Sequence, residues 1–315
     1  MRRFRHDKVP NGIKHREQHR KKENQKQRSR WLIILGVAVM VVAIGLWFTY
    51  SNIPGAGGNA RPISRLSTAD FHSLAFSITE PDTIFFGHHG GLMVSRNGGK
   101  DWQPTTLQNV DAMALALPLS NPQLMYAAGH DVFYKSTNGG QSWQPMTTNL
   151  PGMDIHGFTA DPDNPNTVYA NVAGFGFFSS QDGGAIWKQL SSIGSHTNLA
   201  MGEDAQTLYA ATGQAGLLRS ADGGQTWAKV ENILDEGAMA VAYAPTSKRL
   251  YITTLGTAAG LYVSNDNGKS WVALGLTGKI MAVAVSPLDP RHIVAVNDQG
   301  QVFASRDDGA SWNGG

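Results

Sequence analysis

The chain has 315 residues, 41% of them apolar, no cysteine and a formal net charge of +2. That content supports a sizeable core and excludes a small module stapled by disulfides. The net charge hides a split: residues 1–30 carry twelve Lys/Arg against three acidic groups (+9), residues 51–315 fourteen against twenty-one (−7), so no nucleic-acid partner is expected.

In chain order, residues 1–30 read as a basic cytoplasmic tail, a topology signal lying against acidic headgroups. Residues 31–50, WLIILGVAVMVVAIGLWFTY, are uncharged with Trp31, Trp47 and Tyr50 near their edges. At 1.5 Å per residue the run spans roughly 30 Å, which predicts one transmembrane helix in contact with the lipid bilayer. The positive side stays in the cytoplasm, which places the rest in an extracytoplasmic position on the cell membrane. A cleavable signal peptide is the competing reading, with GGNA (57–60) as a cut site; the length of the apolar run favours an uncleaved anchor. Residues 51–60 form a linker.

Beyond the linker one octapeptide recurs six times: SRNGGKDW (95–102), STNGGQSW (136–143), SQDGGAIW (180–187), SADGGQTW (220–227), SNDNGKSW (264–271) and SRDDGASW (305–312). Successive terminal Trp residues are 41, 44, 40, 44 and 41 positions apart. A period near 42 marks a repeat architecture. The fourth and fifth positions are Gly, Asn or Asp, which tolerate the positive φ of tight hairpin turns. The third position, Asn97, Asn138, Asp182, Asp222, Asp266 and Asp307, offers an oxygen to turn N–H groups, and the opening Ser adds a hydroxyl. The closing Trp102, Trp143, Trp187, Trp227, Trp271 and Trp312 are expected to fold their rings into the sheet core.

These octapeptides resemble the Asp-box, or BNR, pattern Ser-x-Asp-x-Gly-x-Thr-Trp, over about residues 70–312. Proteins similar in this respect include sialidases, xyloglucanases, sortilin-type receptors and the photosystem II assembly propeller. The resemblance implies a β-propeller, here as a membrane-anchored, glycosyl-hydrolase-like bacterial member, and leaves the activity open.

Upstream of each box lie an alternating strand, a Pro/Asp turn and a second strand, as in HSLAFSITEPDTIFFG (72–87) and HGFTADPDNPNTVYAN (156–171). With a third strand before the box and a fourth after the Trp, each period is one four-stranded blade. The fold class is therefore all-β, a six-bladed β-propeller over residues 61–315. The last copy stops at WNGG, so blade six lacks its outer strand; RPISRLS (61–67), through Ile63 and Leu66, is expected to supply it.

The boxes share one face with the first-to-second turns. The opposite face collects the inner-strand starts and the second-to-third turns. Aligned repeats place His72, Met113, His156, His196, Met239 and Met281 at one equivalent position, with Asp70, Asp111 and Asp154 two residues earlier. GHHGG (87–91) and AGHD (128–131) add His88, His89 and His130. These residues are the candidate ligand or metal site. Imidazole, thioether and carboxylate at a channel mouth suit a transition metal, copper where Met contributes, or form a polar pocket for a protein or small-ligand partner. The favoured reading of these positions is nevertheless the bulky face of inner strands, which alternate large and small residues.

No catalytic residue is assigned. A sialidase needs three converging Arg, and the Arg positions here do not provide them. A two-carboxylate glycosidase using Asp70, Asp111 or Asp154 stays open, although no Trp is left over for sugar stacking. The favoured reading is a membrane-anchored extracytoplasmic binding or assembly module, the alternative a glycoside hydrolase.

Overall fold

The computed structural model describes residues 60–313 apart from 69, 195–197, 214 and 232–236. The basic tail, the apolar run 31–50 and the linker up to residue 59 lie outside the described residues. Among the described residues no helix is long and apolar enough to cross a membrane.

Each period of the sequence becomes one antiparallel four-stranded sheet, and there are six. In blade one the strands are Ser73–Phe76, Ile84–His88, Gly91–Ser95 and Gln103–Gln108, in that order from the axis outward. The inner strands of the other blades are Ala114–Ala116, Ile155–Ala160, Asn198–Met201, Ala238–Ala244 and Ile280–Val285. Each inner strand packs against those of both neighbouring blades, the last against the first, so the ring is closed. Every inner strand contributes alanine, among them Ala75, Ala116, Ala160, Ala200, Ala242 and Ala284, to the lining of an axial channel of about 230 Å³.

Closure uses the strand expected from the sequence. Ser64–Arg65 pairs antiparallel with Gln301–Ser305 as the outer strand of blade six, Ser64 opposite Val302 and Arg65 opposite Gln301. The N–H groups of Ile63 and Leu66 donate to Val302 and Gly300 carbonyls at 2.8 Å. Leu66 is buried and Ile63 packs against the same apolar cluster. An otherwise open sheet edge is thereby paired.

The octapeptides are turns of one design. In the fourth copy Ser220 Oγ accepts the Gly224 N–H at 2.9 Å and lies 2.8 Å from Asp222 Oδ1, which accepts the Thr226 N–H at 2.9 Å. Asn97 and Asn138 hold their turns through the same oxygen. Positive φ occurs at Gly223 and Gly224, and also at the non-glycine Asn267 (58°) and Asp308 (62°). Bonds from the Thr226 hydroxyl and N–H and from Ser220 lower the Asp222 carboxyl to about 2.

The tryptophans turn into the core as expected, and each indole packs in the seam between its blade and the preceding one. Trp187 packs in a cluster drawn from blades two and three, with Tyr126 and Phe133 on one side and Phe158 and Val168 on the other. Trp312 likewise joins blades five and six, and Trp102 blades six and one. Sheets stacked around an axis bury their faces against each other, so the apolar core lies between blades and the ring follows it.

Candidate functional site

The inner-strand starts and second-to-third turns of blades one to three meet at one mouth of the channel. Seven predicted side chains converge there, imidazoles alternating with carboxylates. His72 Nε2 lies 2.9 Å from Asp70 Oδ2, which is 3.1 Å from His89 Nε2. His89 Nε2 is 3.9 Å from Asp111 Oδ2, which is 2.6 Å from His130 Nδ1. His130 Nε2 is 3.2 Å from Asp154 Oδ1, and His156 Nε2 is 2.8 Å from that same oxygen. The arc runs from a nearly buried His156 (10% of the side chain exposed) to a half-open His89 (48%).

Local structure aims these groups. Asp70 is anchored by the His89 N–H at 3.0 Å to Oδ2. The rings of His72 and His89 stack 4.6 Å apart, with their Nε2 atoms 2.8 Å from each other. The register of the inner strand of blade three shifts between Ile155 and Gly157, so His156 stands at a bulge. Met239 and Met281 occupy bulges at the equivalent points of blades five and six. Bulges re-aim side chains, and here one turns an imidazole to the mouth. His130 and Asp154 also pair through an isolated antiparallel bridge, which ties blade two to blade three under the site. Burial lowers the His72 pKa, and the neighbouring His89 adds to that effect while Asp70 opposes it.

Not every predicted residue joins the arc. His88 faces away: its ring stacks on Phe86 at 5.6 Å, its Nδ1 accepts the Gly90 N–H, and burial lowers its pKa. His196 lies outside the described residues. Met113 is buried, and Met281 packs against the apolar seam between blades six and one. Nitrogen and oxygen donors therefore make up the arc.

Two glycines escaped the sequence reading. A Cβ on Gly129 would stand 2.1 Å from the Asp111 carbonyl oxygen, and one on Gly87 2.1 Å from that of Ala112. Only glycine lets these chains approach so closely. The signal was present: each glycine directly precedes a histidine, in GHH and GHD.

No protein-family model and no curated protein matches the chain. Solved structures do. A GH74 enzyme from Niastella koreensis superposes with a TM-score of 0.61 at 16% identity, over 80% of this chain and 46% of its own. The GH74 xyloglucanase from Xanthomonas campestris gives 0.55 at 16%, over 80% and 54%. YCF48 from Cyanidioschyzon merolae gives 0.53 at 20%, over 80% and 87%, and YCF48 bound to D1 peptide 0.53 at 19%, over 79% and 83%. The chain spans about half the length of the two GH74 structures and most of YCF48. At these identities the likeness concerns the fold alone, and the six blades are counted from this chain's own sheets.

Proposed function

We propose that the chain is a membrane-tethered binding module working outside the cytoplasm, with residues 31–50 as its single transmembrane helix and residues 1–30 on the cytoplasmic side. The propeller holds a protein or small-ligand partner at the mouth where the inner strands begin. The observation that carries this reading is the arc of Asp70, His72, His89, Asp111, His130, Asp154 and His156, gathered from three blades and open to solvent at its middle. Groups that merely filled a core would be apolar, since burying polar groups costs free energy. That YCF48 is found with a bound D1 peptide supports a peptide-like partner on such a propeller.

Site-specific photo-crosslinking in cells tests the face. A cross-linking amino acid at the exposed Asp131, beside the arc, should yield a discrete adduct, and one at Ile186, in the octapeptide on the opposite face, should not. Adducts from Ile186 alone would overturn the reading. The topology is checked with C-terminal fusions: an active alkaline phosphatase is expected, and a fluorescent cytoplasmic reporter in its place would reject the anchor orientation.

The second reading, a glycoside hydrolase, is favoured by the GH74 neighbours and by three carboxylates at one mouth. The seam positions of the indoles remove them from sugar stacking. Turnover of a chromogenic glycoside, abolished by Asp111→Asn or Asp154→Asn, would place this reading first.

A further inference from the structure

The arc contains three groups of three donor atoms close enough to share an ion: Asp70, His72 and His89; His89, Asp111 and His130; His130, Asp154 and His156. Adjacent groups share an imidazole, so the middle one competes with both ends. The end groups share no residue. Each end group offers two imidazoles and one carboxylate.

The tautomer of His130 points the same way. Its Nδ1 is 2.6 Å from Asp111 Oδ2, a contact with hydrogen-bond geometry. A carboxylate there accepts the Nδ1 proton, which leaves the Nε2 lone pair directed at Asp154 and His156. Metal-ligating histidines are commonly oriented by a carboxylate in this manner. Asp154 Oδ1, moreover, is buried and makes no directed hydrogen bond, even though two imidazole nitrogens lie 2.8 and 3.2 Å away.

The spacing fits. Donor atoms around a tetrahedral ion with bonds of about 2.0–2.1 Å stand roughly 3.3 Å apart. At the blade-one end the Nε2 atoms of His72 and His89 are 2.8 Å apart and lie 2.9 and 3.1 Å from Asp70 Oδ2. An opening of a few tenths of an ångström would admit an ion.

We propose that the chain binds two divalent first-row transition ions, one on Asp70, His72 and His89 and the other on His130, Asp154 and His156, with Asp111 positioning His130. The proposal rests on the reading of this mouth as the binding face and assigns it a ligand class. Imidazole with carboxylate suits zinc, iron, nickel or copper better than the all-oxygen preference of magnesium or calcium. Three protein donors leave coordination positions that water or a partner's carboxylate can take.

The test uses the full-length chain in detergent micelles, stripped with a chelator and titrated with Co(II) and Zn(II), by calorimetry and by cobalt d–d absorption. Two ions per chain are expected. His72→Gln and His156→Gln should each leave one, and the double variant none. Asp111→Asn should keep two ions and weaken one of them by about 10- to 100-fold. Metal-free melting curves identify any variant that does not fold, in which case Asp70→Asn and Asp154→Asn replace it. Fewer than two ions on the parent chain, ions retained by the double variant, or an unchanged Asp111→Asn titration would overturn the proposal. The photo-crosslinking result does not depend on added metal, so loss of the ions and loss of the binding face are separately visible.

Discussion

His130 Nδ1 lies 2.6 Å from Asp111 Oδ2, while the other nitrogen of the ring faces Asp154 Oδ1 at 3.2 Å. One imidazole thus joins a carboxylate of its own blade to a carboxylate of the next. The other Asp111 oxygen is buried without a hydrogen-bond partner, so its bond to His130 fixes the carboxylate. The approach exists because residue 129 has no side chain.

Gly129→Ala tests that dependence without touching a polar group. Its Cβ would stand 2.1 Å from a backbone oxygen, and rotation of a side chain cannot relieve that. The segment carrying Asp111 has to shift, at a cost on the order of 1–3 kcal/mol. Histidine ¹⁵N NMR should show the Nδ1–H form of His130 in the parent chain and a mixture of tautomers in the variant. An unchanged tautomer together with an unchanged melt would show that the glycine is not needed.

The seams predict a ranking among the indoles. Trp187 is 6% exposed, meets Phe133 and Phe158 edge-on, and donates its N–H to the Gly184 carbonyl at 2.8 Å. Trp187→Ala should cost about 3–5 kcal/mol in urea unfolding. Trp271 is half-buried and its N–H has no partner. Trp271→Ala should cost less, and equal losses would argue against the seams as the seat of stability.

What could be read ahead follows from how local each cause is. The turn chemistry of the octapeptides lies within eight residues, and its repetition near every 42 announced both the blades and their number. The missing outer strand and RPISRLS matched because an unpaired edge is costly in any sheet. The seam packing of the tryptophans was hidden, since it depends on a neighbouring blade. So was the difference between His88 and His89. His88 ends a strand and its ring lies on Phe86, two residues back on the same face, whereas the following residue turns toward Asp70. Alternation along the strand held that information; the run of two identical residues concealed it. The bulge that presents His156 has one weak marker in IHGFTA, Gly157, and the equivalent bulges at Met239 and Met281 have none.

Closure by a borrowed strand makes a short segment disproportionately important. Leu66 is 3% exposed in the cluster that joins blades six and one. Leu66→Ala should destabilise by about 2–5 kcal/mol, and deletion of residues 61–67 should lower the melting temperature further. Arg65 is exposed and bonds through its side chain to the Gln299 carbonyl. Arg65→Ala should stay within about 0.5 kcal/mol of the parent. Melts in which the deletion and the parent coincide would mean that the ring does not need its outer strand.

The same seam carries an acid-sensitive group on the face opposite the arc. His292 is 1% exposed, set edge-on to Phe76 at 4.8 Å, with no hydrogen-bond partner on Nε2. Burial lowers its pKa to about 4, helped by the Arg306 guanidinium and opposed by Asp82 and Asp289. The unfolded chain titrates near the ordinary 6.5, so between these values it binds more protons than the folded one. Stability is therefore flat with respect to this group above pH 6.5 and falls as the pH drops toward 4, by up to about 3 kcal/mol. Urea midpoints at pH 7, 6, 5 and 4 should decline along that curve. In His292→Phe the decline should shrink to what His72 and His88, also lowered by burial, contribute with the same sign, together with the share that appears near pH 4 from carboxyls held low in the turns, such as Asp222 and Asp266. A variant with the parent's full slope would place the proton uptake elsewhere, because a ring that cannot be protonated cannot open the closing seam.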